Sequence, residues 1–177
     1  METRIISQKD LDKEGFYKEE SLIFNGNITI EKNLGIVKFR KSIKASGYIL
    51  AEAGSGIKAG SGIKAGWGIE AGSGIEAGWG IEAGAGIEAG WGIEAGAGIE
   101  AGSGIEAGED IKAGLGIKAG EDIKAGLGII SLFSGDITAR FISCLRIAAG
   151  FNDMEEMKID AKIRKGEVIF GKVVKVE

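Results

Sequence analysis

The chain has 177 residues and is 44% hydrophobic, with 32 glycines, one cysteine and neither proline nor histidine. So much glycine without proline excludes collagen and argues against a disordered linker. No apolar run reaches the roughly 18 residues of a membrane-spanning helix, and the net charge of −4 is modest.

Residues 1–24 read as a polar N-terminal segment. The opening METRIISQKDLDKEG lacks the apolar stretch and small-residue cleavage site of a secretory signal. With Cys144 as the single cysteine, no intrachain disulfide can form, and a cytoplasmic location is expected. Asp10, Asp12, Glu14 and Gly15 match the start of a calcium loop, D-x-[DN]-x-[DN]-G. The place of that loop's final glutamate holds Ser21, so a solvated segment is expected, with a short helix or as a loose arm, and no metal site. Residues 25–52 read as irregular leading coils, with Ile28, Ile30, Ile36, Ile43 and Ile49 at even or near-even offsets.

Residues 53–130 repeat x-G-I-(E/K)-A-G. Isoleucine stands at 57, 63, 69, 75, 81, 87, 93, 99, 105, 111, 117, 123 and 129. A helix repeats its face every 3.6 residues, and its interior glycines would each cost about 1 kcal/mol relative to alanine. A strand alternates every two residues, and six is a multiple of two. Ile and the Ala two places later therefore share one side, with the charged residue between them on the other. The flanking glycines are expected to supply bends through backbone angles that a Cβ forbids. A short strand, a bend and the same again is the pattern of an all-β, single-stranded β-solenoid with six-residue repeats. Coils of three hexads or of two both fit. Three are preferred, because hexad solenoids are usually three-sided and leave more room for tryptophan. Glu109 and Glu121 at the variable position x place that position at a corner, since a buried unpaired carboxylate is costly.

Residues 131–177 read as further coils and an end cap. Gly135-Asp136-Ile137-Thr138 echoes Gly26-Asn27-Ile28-Thr29, and KGEVIFGKVVKVE reads as strand, turn, strand. Phe133, Phe141, Phe151 and Phe170 are suited to covering the last coil, which would otherwise expose strand edges.

The segments GNITIEKN, KSIKASGYI and SGDITARF resemble bactofilins, the polymer-forming bacterial cytoskeletal β-solenoids. The likeness extends over residues 25–150, and it implies a scaffold that assembles end to end. The hexad period is also similar to that of the hexapeptide-repeat acyltransferases, but those enzymes use a histidine base and this chain has none.

The same lack leaves no catalytic residue to name. Cys144 in FISCLRI has apolar neighbours and no histidine to activate it. The many G-x-G phrases are periodic and none forms a phosphate loop. No cofactor is expected. Charge is more informative. Residues 65–111 hold no lysine or arginine and nine acidic groups: Glu70, Glu76, Glu82, Glu88, Glu94, Glu100, Glu106, Glu109 and Asp110. Lysine is accepted at the same position at 58, 64, 112, 118 and 124. The acidic middle is therefore a candidate docking surface for a basic, nucleic-acid-handling protein, in the style of phage-encoded inhibitors of nucleases or CRISPR effectors. Trp67, Trp79 and Trp91 are secondary candidates, as a stacking platform. Direct nucleic-acid binding and membrane contact are not expected, and the assembly state expected is a monomer or small closed oligomer.

Overall fold

The computed structural model describes residues 1–132, 136–149, 158–170 and 172–174. It is a parallel β-solenoid of about seven turns. The stacking register gives the coil size directly. Ile57 pairs with Ile75, Ile63 with Ile81 and Ile69 with Ile87, so each isoleucine stacks on the third one along the chain. Three hexads therefore make one coil, and the rod is three-sided. Face I stacks the strands Ser55–Ala59, Ile75–Ala77, Ile93–Ala95 and Ile111–Ala113. Face II stacks Ile63–Ala65, Ile81–Ala83, Ile99–Ala101 and Ile117–Ala119. Face III stacks Ile69–Ala71, Ile87–Ala89, Ile105–Ala107 and Asp122–Ala125.

Every repeat isoleucine from Ile57 to Ile129 is at most 2% exposed. Each contributes about 1.5–3 kcal/mol by burial. The partner alanine keeps each side short, so three isoleucine ladders fill the section of the coil.

The two glycines of each hexad do different work. A Cβ added to Gly84, after the alanine, would lie 2.1 Å from the carbonyl oxygen of Gly66 in the coil below. A Cβ on Gly86, before the isoleucine, would lie 3.4 Å from the oxygen of Gly104, an ordinary contact. Asp110 and Asp122 occupy this second position in their hexads, and nothing but glycine occupies the first from residue 60 to 126. Among the described glycines only Gly15, Gly35 and Gly54 have positive φ. From Gly60 onward the first glycine of each hexad is thus required for close approach of stacked corners and not for a left-handed backbone, which corrects the sequence expectation. Gly84→Ala should lower stability by about 1–3 kcal/mol through overpacking. Gly86→Ala should be neutral or add up to about 1 kcal/mol by restricting the unfolded chain. Denaturant midpoints of the two variants check this pair.

Wider coils precede the regular ones. Ile43 stacks on Ile63, Ile49 on Ile69, Ile28 on Ile49 and Thr3 on Asn27, and in each pair the partners are separated by more than three hexads. The extra residues sit at corners. Asn33 takes φ 60° there and Ser55 Oγ donates to Glu31 O at 2.6 Å.

The N-terminal segment closes this end of the core. Ile6, Leu11, Tyr17 and Leu22 are buried, and residues 8–10 form one 3-10 turn. Asp12 Oδ1 accepts from the backbone N–H groups of Phe16 and Glu14, both at 2.9 Å, while its Oδ2 accepts from Arg40 at 3.1 Å. These bonds, that from Phe16 foremost, hold the Asp12 carboxyl below the usual carboxylate range. Asp10 is lowered likewise by the backbone N–H of Ser7. Of the aspartates that suggested a calcium loop, Asp12 therefore cross-links the segment to Arg40 of the leading coils, and Asp10 ties Ser7 and Arg4 together within the segment. Among the described residues no cluster of acidic or sulfur groups suits a metal ion.

At the other end Ile137–Ala149 continues all three faces in one run, with Ile137, Ile142 and Ile147 stacked on Ile117, Ile123 and Ile129. Lys158–Phe170 lies on it, and Lys172–Val174 on that. The expected capping role of Phe133 and Phe151 lies outside the described residues, as does the side chain of Phe170. No helix among the described residues is long and apolar enough to cross a membrane.

Candidate interaction surface

The charged residue of each hexad points outward at mid-strand. The three-hexad register assigns it to a face, and the nine acidic groups do not form one surface. Face I carries Glu76 and Glu94 between Lys58 and Lys112. Face II carries Glu82 and Glu100 between Lys64 and Lys118. Face III carries Glu70, Glu88 and Glu106, with Lys124 above and Leu50 below. Glu109 stands on the corner between faces III and I, and Asp110 follows it.

Stacked strands lie about 4.8 Å apart, so like charges in register repel. Lysines relieve this at the ends of each run. Face II is fully closed, with Lys64 on Glu82 at 2.6 Å and Lys118 on Glu100 at 3.1 Å. Face I is half closed. Lys58 meets Glu76 at 2.5 Å, whereas Lys112 turns to Asp110 at 3.0 Å and leaves Glu94 without an ion pair. Of the mid-strand glutamates of face III, Glu106 is paired with Lys124 at 3.3 Å, and Glu70 and Glu88 have no ion pair among the described residues. Among the described residues Glu70, Glu88, Glu94 and Glu109 have no cationic partner. These bridges are solvent-exposed and each is worth at most about 1 kcal/mol. Their consequence is the choice of which charges remain available.

A shallow groove runs along each face between the corner residues and the mid-strand row. The face III groove, about 560 Å³, is lined by five carboxylates (Glu70, Glu88, Glu106, Glu121 and Asp122) and one ammonium, Lys124. Tyr48 and Leu50 close its lower end. The face I groove, about 230 Å³, has four carboxylates and one ammonium. The face II groove, about 500 Å³, has two carboxylates and three ammonium groups. The rod is therefore acidic across faces III and I and slightly basic along face II.

The tryptophans are exposed, at 58% for Trp67, 72% for Trp79 and 59% for Trp91. A spacing of two hexads on a coil of three turns each one corner back from the last. Trp67 follows face II, Trp79 follows face I and Trp91 follows face III. Above and below Trp79 stand Ala97 and Ser61, and above and below Trp91 stand Glu109 and Ser73. The three do not share a face, so the expected common stacking platform does not exist.

Cys144 is 3% exposed and its Sγ donates to Arg146 O at 3.1 Å. Burial pushes its thiol up to about 11, away from nucleophilic thiolate at neutral pH.

Sequence reading placed the acidic block and missed the lysines that neutralise part of it, together with Glu121 and Asp122 on face III. The signal was present in the three-hexad spacing of Lys64 from Glu82 and of Glu100 from Lys118, and it becomes usable once the coil size is known.

Comparison of the chain with family models, with curated proteins and with solved structures returned no match.

Proposed function

We propose that the protein is a non-enzymatic binder whose acidic side docks on a basic surface of a nucleic-acid-handling protein, with an inhibitor of a nuclease or CRISPR effector as the concrete case. The observation that carries this reading is the uneven neutralisation of the rod. Face II closes both of its glutamates with lysine, while Glu70, Glu88, Glu94 and Glu109 on faces III and I have no ion partner among the described residues. Rigid stacking sets Glu70 and Glu88 one coil apart on face III, about 4.8 Å along the axis, with Glu94 on face I and Glu109 on the corner between the two faces. A row of that kind resembles a phosphate backbone in charge and repels nucleic acid itself.

Affinity purification over rising salt tests the reading. Partners should be basic proteins, should release steeply above about 0.15 M salt where screening falls within about 8 Å, and should be lost when Glu70, Glu88 and Glu94 become Gln. Retention of the same partners by that variant overturns the reading.

A second reading, a self-assembling scaffold of the bactofilin type, draws support from the N-terminal coil. Among the described residues the strands Thr3–Ile6 and Leu22–Phe24 each pair on one edge. Their outward positions hold Ile5, 55% exposed, and Ile23, 72% exposed, where the regular coils hold charge. Short edge strands and the plug formed by Leu11 and Tyr17 work against open-ended growth. Sedimentation over a range of concentration should therefore show a monomer or small closed oligomer. Long polymers would favour the scaffold.

A further inference from the structure

The three tryptophans differ in their ionic surroundings. Trp79 lies between Glu76 and Glu82, and both are occupied by Lys58 and Lys64. Trp67 lies between Lys64 and Glu70, with Ala85 above it. Trp91 lies between Glu88 on face III and Glu94 on face I, with Glu109 directly above it on the same corner through its N–H to Trp91 O at 3.1 Å. All three of these carboxylates are exposed and lack an ion partner among the described residues. The corner of Trp91 and Glu109 borders the acidic face I groove, which Glu94 and Glu109 line.

An exposed indole costs solubility, and a ring of unneutralised carboxylates costs repulsion. Together they suit one chemistry. A guanidinium can lie on the indole face by cation–π attraction while its N–H groups reach carboxylates on either side. Tryptophan and arginine are also the residues that concentrate binding energy at protein interfaces. We propose that Trp91, with Glu88, Glu94 and Glu109, is the point at which an arginine side chain of a basic protein partner docks. This rests on the reading of the rod as a binder of basic proteins and names its centre.

The test uses an octa-arginine peptide as probe and tryptophan emission as readout. In one variant Trp67→Phe and Trp79→Phe leave Trp91 as the single tryptophan. In the other Trp67→Phe and Trp91→Phe leave Trp79. Circular dichroism confirms folding, which exposed corner substitutions should preserve. The peptide should shift or quench the Trp91 emission at low salt and leave that of Trp79 nearly unchanged. Glu88→Gln, Glu94→Gln and Glu109→Gln together should weaken peptide binding, followed by calorimetry, by about tenfold or more, whereas Glu82→Gln with Glu100→Gln should change it less than about twofold. Equal responses of Trp79 and Trp91, or equal losses from the two glutamate sets, overturn the site while leaving the rod a binder of basic chains. Failure of the peptide to bind the wild-type protein at low salt overturns both.

Discussion

Ile87→Asp is expected to unfold the middle of the rod. Ile87 is 2% exposed and stacked between Ile69 and Ile105 on face III. Removing its side chain alone would cost about 2–5 kcal/mol through lost burial and the cavity left behind. A carboxylate in that place meets only apolar neighbours and carries a desolvation penalty of several kcal/mol. A domain of ordinary stability has about 5–15 kcal/mol in total. A solenoid has no other way to pass the defect, since each coil is held mainly by the one above and the one below. Circular dichroism should show loss of the β signal or a collapsed melting temperature. Limited proteolysis should cut near residue 87. Glu88→Lys, at the next position, supplies the control. It faces solvent between Glu70 and Glu106, so the new ammonium relieves repulsion on both sides. Stability should be unchanged or rise by a few tenths of a kcal/mol. A folded Ile87→Asp protein with an intact β spectrum would refute the ladder as the source of stability.

The contrast between those neighbouring positions was legible in the sequence, because a period of six forces Ile87 and Ala89 to one side and Glu88 to the other. The three-sided coil was legible only as a preference. The chain is written in units of two hexads, as Trp67, Trp79 and Trp91 show, while the fold is built in units of three. Those two periods coincide only every second coil, so each of the three tryptophans has a small or polar residue stacked on it. The mixed periods also scatter a linear run of glutamates over three faces. That is why the acidic block could be found by counting charges, but its surface could not. Face and pairing depend on contacts a whole coil apart, which no local pattern reveals. The N-terminal cap was hidden for a different reason. Its cross-links run from Asp12 to Arg40 and from Arg4 to Tyr17 across coils of irregular length, and only the packed structure brings them together.

The same distribution of charge makes a prediction of opposite sign for glutamates that look identical in sequence. Glu70, Glu88 and Glu94 repel stacked neighbours without relief from lysine. Changing all three to Gln should raise the melting temperature, because each loses a like-charge contact worth a few tenths of a kcal/mol and no ion pair. Glu82 and Glu100 also face each other, but each is bonded to a lysine. Changing both to Gln removes one repulsion and two bridges, and leaves Lys64 and Lys118 uncompensated. The melting temperature should fall slightly or stay the same. Salt should act on the two cases differently. Screening should stabilise the wild-type protein through faces III and I, and that benefit should vanish in the triple Gln variant. Binding should move the other way from stability. The triple variant, though the more stable, should associate slowest with a basic partner, since loss of opposite charge acts first on the rate of encounter. The face II variant should associate as fast as the wild type. Thermal melts at low and high salt, together with association rates for the same proteins, measure both. If the two glutamate sets give the same shifts in both measurements, lysine pairing does not decide which carboxylates are available, and the acidic side of the rod loses its distinction from the rest.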